Sequence, residues 1–299
     1  MCRPAFVLFA LVSVSCVMYA QSRSPDSSGG DQSNALQSKE ELTQQLSNPV
    51  ADLWLIANEI NISDVKNLPG NIHVYNWNLQ PVMSVHLGKT WNLINRPYMP
   101  FFFQSPTLSD KPVSIPLDLI DDSGLGDVGI VSLLSPNKPP SVGKGQLLWG
   151  LGPTFSFPTA SQKTFGFGKW LAGPSGVAAY LDSKWVGGVF LQQWWSYAGD
   201  AARTDKNFAW IQYFAAYQFA PGWQVSTGAP IIGVDWNTNN VTFPVGVGIG
   251  HTAFLGKLPV QMGFEFQKTV VHPDKAPYQD NLFRITIEPV IPNLFERKK

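Results

Sequence analysis

The sequence predicts an all-β protein, a transmembrane antiparallel up-and-down β-barrel of about twelve strands. Two-faced strands, connections that alternate between short and long, and tryptophans at strand ends together point to it. From Tyr75 to Leu87 every second residue reads Tyr75, Trp77, Leu79, Pro81, Met83, Val85 and Leu87, with Asn76, Asn78, Gln80, Val82, Ser84 and His86 between them. Side chains alternate across a pleated strand, so this run has one greasy face and one wet face. The pattern returns in Leu147, Trp149, Leu151, Pro153, Phe155 and Phe157. It returns again in Val241, Phe243, Val245, Val247 and Ile249, set against Thr242, Pro244, Gly246, Gly248 and Gly250. Runs this long, aromatic on one face and rich in Gly, Asn, Gln and Ser on the other, fit a wall with lipid outside and water inside.

Composition agrees. The 299 residues are 14% charged and 13% aromatic, and mean hydropathy is near neutral, as alternation requires. A formal net charge of +0 supplies no basic surface, so no nucleic-acid partner is expected. Residues 1–20 carry Arg3, an apolar stretch from Ala5 to Val12 and small residues before Gln21, the pattern of a cleaved export signal. Lipidation at Cys16 is the alternative. Cys2 and Cys16 both lie in this segment, which leaves the mature chain neither disulfide nor cysteine metal site. No other run of about 18 apolar residues exists, so helical spans are excluded.

Taken in order, residues 21–48 are rich in Ser, Gln, Asp and Gly and read as a flexible, disordered periplasmic lead, with a short helical possibility at 40–46. Residues 49–299 are assigned to the barrel. Strands are expected at 52–62, 71–87, 91–104, 125–135, 146–158, 170–181, 185–197, 207–219, 223–236, 241–253, 259–271 and 281–292, an even number, as single-chain bacterial barrels require. Connections at 88–90, 182–184, 220–222 and 254–258 are short and belong on the periplasmic side. Those at 105–124, 159–169, 198–206 and 272–280 are longer and polar. Two exceptions stand: 136–145 is long for a turn, and 237–240 is short for an outer loop.

Tryptophan rings favour the headgroup level at both rims. Trp91, Trp185 and Trp223 follow short turns, while Trp170, Trp210 and Trp236 lie beside long loops, which predicts two girdles. The competing fold is a secreted β-sandwich with ordinary core tryptophans.

Several segments resemble the outer-membrane barrel family named for the meta-pathway of phenol degradation. They are Asn48-Pro49-Val50-Ala51, Leu79-Gln80-Pro81-Val82, Trp91-Asn92-Leu93-Ile94 with Arg96, Gly124-Leu125-Gly126-Asp127, Leu134-Ser135-Pro136 and Trp149-Gly150-Leu151-Gly152-Pro153. The likeness continues through Gly168-Lys169-Trp170 with Gly173-Pro174, Ser196 to Asp200, and Pro259-Val260 with Gly263. The resemblance implies a transporter with a link to aromatic compounds; it carries over no catalytic or ligand residue. Such barrels often end on an aromatic, whereas here Phe295 is followed by Glu296-Arg297-Lys298-Lys299.

Gly124-Leu125-Gly126-Asp127 matches no nucleotide fingerprint and reads as a turn into a strand. His73, His86, His251 and His272 lack the spacing of a metal site, so no metal or other cofactor is expected. Ser84 and His86 share an inward face, but no nucleophile elbow exists, and no enzymatic activity is expected. Charged and amide groups on the wet faces are the informative ones, since a charge toward lipid is costly. Asn76, Asn78, Gln80, Arg96, Asp127, Glu265, Gln267, Arg284 and Glu288 are the candidates to line the lumen. They form either a network that narrows a pore or a structural ion-pair plug, and Arg284 taken alone would attract carboxylates. The expected partners are outer-membrane lipid, the barrel-assembly machinery and a small solute. The expected function is a passive channel for small, partly apolar solutes, aromatic ones among them; a closed structural or adhesion barrel and a membrane-embedded hydrolase are the alternatives.

Overall fold

The structure is a computed structural model and describes residues 53–68, 72–108, 119–256 and 258–292. The export signal, the lead, the Cys16 alternative and the chain end around Phe295 all lie outside them. The described residues form fifteen strand segments and no helix. They are β1 (Leu53–Lys66), β2 (Ile72–Leu87), β3 (Trp91–Leu108), β4 (Leu119–Leu125), β5 (Val128–Pro136), β6 (Ser141–Val142), β7 (Gly145–Phe157) and β8 (Lys169–Leu181). There follow β9 (Trp185–Gly199), β10 (Asn207–Ala220), β11 (Trp223–Ser226), β12 (Ile231–Asp235), β13 (Asn240–Leu255), β14 (Leu258–Val271) and β15 (Tyr278–Pro292).

Twelve staves result. β4 and β5 are one stave broken at Gly126-Asp127, β11 and β12 are one stave broken at 227–230, and β6 is a two-residue hairpin inside the expected long turn. Each stave pairs antiparallel with its sequence neighbours, and β15 pairs with β1, so the sheet closes on itself without an edge. The strands at the loop end outrun the expectation: β1 continues to Lys66 and β3 to Leu108.

Burial is inverted relative to a water-soluble protein. Leu151 is 62% exposed, Val247 56% and Phe264 48%, whereas Glu59 and Gln80 are 0% and Arg284 1%. Apolar residues outside and polar residues inside are what a wall between lipid and lumen demands. The period-two pattern therefore reports sidedness, with the greasy face turned out.

The girdles form with one correction. Trp91, Trp185 and Trp223 are exposed beside the short turns, and Trp170 and Trp236 are exposed at the loop end. Trp210 is buried inside the barrel. Its strand, β10, is apolar on both faces around this position, and the buried Gln212 two residues on marks which side is inward. His251 packs on Trp223, ring centroids 4.3 Å apart, at the short-turn rim.

Candidate functional site

At mid-barrel, Arg284 on β15 lies directly across from Glu265 on β14 and Asn61 on β1. Its Nη1 donates to Glu265 Oε2 at 3.0 Å and its Nε to Asn61 Oδ1 at 2.7 Å. Its Nε also lies 3.9 Å from Glu59 Oε2. Glu59 accepts from Gln80 Nε2 at 2.9 Å, and Gln80 Oε1 accepts from Arg96 Nη2 at 2.6 Å. Asn76 donates to Asn78 at 2.7 Å on the same inner face of β2. On the far side, Glu265 Oε1 accepts from Gln267 and, at 3.0 Å, from the Ala229 amide. Gln212 Nε2 then donates to the Ala229 carbonyl at 2.9 Å. One connected network thus runs from β3 through β2, β1, β15 and β14 to β10.

The break at 227–230 makes the last links possible. Gly228 has φ +68°, and a Cβ there would fall 2.1 Å from Glu265 Oε1. Only glycine lets the backbone come that close to the carboxylate.

Eight of the nine expected lumen residues lie on the inner wall at or near this level, all of them buried: Asn76, Asn78, Gln80, Arg96, Glu265, Gln267, Arg284 and Glu288. Arg96 stands well inside β3. Asp127 is elsewhere. It sits in the β4–β5 break, beside Val128, whose partner Phe157 is the last residue of β7. There it accepts from the Phe167 amide at 2.6 Å and the Ala160 amide at 3.1 Å, which ties the 158–168 loop into the mouth. Burial pushes the Asp127 carboxyl above its ordinary pKa, opposed by those amides and by Arg203. Phe165, 1% exposed, stacks on Phe102 with centroids 4.7 Å apart. A Cβ on Gly126 would meet Pro100 at 2.8 Å and the Phe165 carbonyl at 3.1 Å, so the loop rests against bare backbone.

The inner wall of β5 to β12 carries two apolar clusters, with Thr154, Gln192 and Gln212 buried on the same strands. Tyr98, Phe167, Leu171, Trp194, Phe208, Trp210 and Ile231 form one cluster. Ile94, Val131, Leu133 and Phe190 form another. The lumen is therefore two-sided, with amides and charges on β14, β15, β1 and β2 facing aromatic and aliphatic groups carried mainly by β5 to β12. On the loop side of the network lies a cavity of about 150 Å³, walled by Phe102, Phe208 and Trp210 on one hand and by Asn61, Asn76 and Arg284 on the other. On the short-turn side lies one of about 80 Å³, bordered by Glu265, Glu288, Gln261 and Gln224.

Sequence reading passed over Glu59, Asn61 and the aromatic wall. The first two were legible, since Glu59, Asn61 and Ser63 alternate with Ile60 and Ile62. The aromatic wall was not, because an apolar residue gives no sign of its side when both faces of the strand are apolar.

A closed twelve-stave wall, apolar outside and charged within, defines the class: the fold is that of outer-membrane β-barrels. Among solved structures the chain is similar to an outer-membrane channel of Pseudomonas putida F1, at 15% identity and a TM-score of 0.57, over 80% of this chain and 94% of that one. Weaker likenesses are outer-membrane phospholipase A of Escherichia coli (11% identity, TM-score 0.43, 80% and 91% covered) and the NanC porin (8%, 0.44, 77% and 98%). No family model and no curated protein sequence matches the chain.

Proposed function

We propose that the protein is an outer-membrane channel through which small, partly apolar solutes, aromatic ones among them, diffuse passively without a cofactor. The observation that carries this reading is the two-sided cavity at the loop end. A space of about 150 Å³ suits one six-membered ring. Phe208 and Trp210 offer ring contacts of ~0.5–1.5 kcal/mol, firm enough to recruit a solute and weak enough to release it. Asn61 and Asn76 offer donors and acceptors for a hydroxyl. The P. putida structure is itself described as an outer-membrane channel. Membership of the phenol meta-pathway family is part of the same proposal and rests on the sequence motifs.

Ser84 and His86 weigh against the hydrolase. Ser84 is buried on the inner face, and His86 Nδ1 is 2.5 Å from Asn92 Oδ1, itself buried there, so neither is presented to lipid. The test is conductance of the purified full-length protein in planar bilayers. A small ion current is expected, reduced reversibly by phenol, with weaker block in Trp210→Ala. Folded, inserted protein that passes no current would leave the closed structural or adhesion barrel as the better account.

A further inference from the structure

The wall is unstitched where β11 and β12 part. β11 pairs with β13 only from Trp223 to Ser226 and β12 only from Gly233 to Asp235, so 227–232 have no ladder partner on β13. The seam with β10 is kept: the Thr227 amide donates to the Ala215 carbonyl at 2.9 Å, and the Tyr213 amide to the Pro230 carbonyl at 3.3 Å. The slack therefore falls between this stave and β13. Two lumen-facing side chains draw the segment inward, since Glu265 accepts from the Ala229 amide and Gln212 donates to the Ala229 carbonyl. Opposite it, Pro244 has no amide to offer a ladder, and its carbonyl takes a side chain instead. Tyr213 alternates with the buried Gln212 and Phe214 and so stands on the lipid face of β10. It reaches across the lapse and donates its hydroxyl to the Pro244 carbonyl at 2.8 Å, its ring T-shaped to Phe243 with centroids 5.9 Å apart.

Both cavities reach this lapse. Ile231 and Pro244 wall the loop-side cavity together with Trp210, while Gly228 and Ala229 border the short-turn one. Outside, Val245 and Val247 stand exposed to lipid. We propose that the lapse is a side port through which a partly apolar solute passes between the loop-side cavity and the hydrocarbon of the bilayer, with Tyr213 as its cover. This rests on the channel reading and gives it a route. Moving straight along the barrel axis, a ring must part the hydrogen bonds that join Arg284, Glu265 and Ala229, and a buried polar group left unpaired is costly. Moving sideways, it displaces one hydroxyl contact and keeps to apolar surface, Ile231 and Trp210 within and Phe243 and Val245 without. Transfer of apolar surface onward into hydrocarbon is then favourable.

The experiment uses trifluoromethyl-iodophenyl-diazirine, a one-ring apolar carbene source that dissolves in bilayers, with the full-length protein folded into vesicles. After illumination, mass spectrometry locates the inserted carbene. Label at the lipid-facing Val245 and Val247 marks contact with the membrane. A port adds label at the lumen-facing Trp210 and Ile231. Tyr213→Phe, which keeps the ring and drops the hydroxyl, should raise that inner label about fivefold, the factor one lost hydrogen bond carries in an open-to-closed equilibrium. Label at Val245 and Val247 with none at Trp210 or Ile231 in either protein overturns the port. So does inner label that Tyr213→Phe leaves unchanged, because a hydroxyl on the outer face bears only on passage to and from lipid. Current across planar bilayers is read separately. Its absence from inserted protein removes the channel reading, whereas failure of the labelling removes the port and leaves the conduit standing.

Discussion

Replacing Arg284 by methionine asks whether the mid-barrel network is dry. The side chain is 1% exposed and holds two charge-assisted contacts, at 3.0 Å to Glu265 and 2.7 Å to Asn61, with Glu59 at 3.9 Å. If water is excluded, Arg284→Met strands buried carboxylates and should cost ~3–5 kcal/mol, the usual loss when one partner of a buried pair is removed. If the lumen is flooded at this depth, the same contacts are worth about 0–1 kcal/mol, as for exposed pairs. The gap between these figures decides the matter. We expect the larger cost, because Glu59 and Gln80 have no exposed surface and the chain of hydrogen bonds around them is continuous. Urea unfolding of protein refolded into vesicles, followed by tryptophan emission, gives the free energy. Adding Glu265→Gln should return ~0.5–3 kcal/mol as coupling. A single-mutant cost under about 1 kcal/mol with no coupling would refute the dry network.

Two further outcomes test the sidedness and the mouth. Leu151 lies at the centre of β7 facing lipid, whereas Leu147 lies near its short-turn end, past Trp149, which contacts the girdle residue Trp91 at 5.9 Å. Arginine at Leu151 should cost ~2–4 kcal/mol and at Leu147 ~0–1 kcal/mol; equal costs in the same urea assay would contradict the placement in the bilayer. Asp127 predicts a pH effect at the mouth. Its carboxyl pKa is raised in the fold by burial, so stability is gained as pH falls through that raised value. The gain is complete below the unfolded value near 3.8, and it is lost as pH rises again. Hydrogen exchange at the Ala160 and Phe167 amides, corrected for intrinsic rate, should show greater protection at mildly acidic pH, and Asp127→Asn should abolish the dependence. Protection that falls on acidification would contradict it.

The barrel was legible because alternation, turn parity and terminal tryptophans are independent signals of one geometry. Asn76, Asn78 and Gln80 on β2 declare their side by being polar among Tyr75, Trp77 and Leu79. Legibility failed where polarity no longer marks direction. Phe208, Trp210 and Phe214 share the inner face of β10 although its outer face is also apolar, so Trp210 was assigned to the wrong surface. The break at 227–230 was invisible for a different reason. Its glycine serves a carboxylate 37 positions away in sequence, at Glu265, and no local pattern encodes that approach. Asp127 likewise finds its partners, Ala160 and Phe167, only through the fold of a distant loop.

The hydrogen bond from Arg284 to Asn61 joins the last strand to the first, 223 positions apart. It can form only once the ends of the sheet have met. Until then Arg284 has neither Asn61 nor Glu59 across the seam, so an unsealed wall lacks part of the network that holds its guanidinium. Slippage of the seam by two residues would keep every side chain on its proper face yet set Arg284 against the wrong neighbour. Because stagger around the ring sets the bore for a given number of strands, a contact that rejects such slippage also fixes the calibre of the lumen.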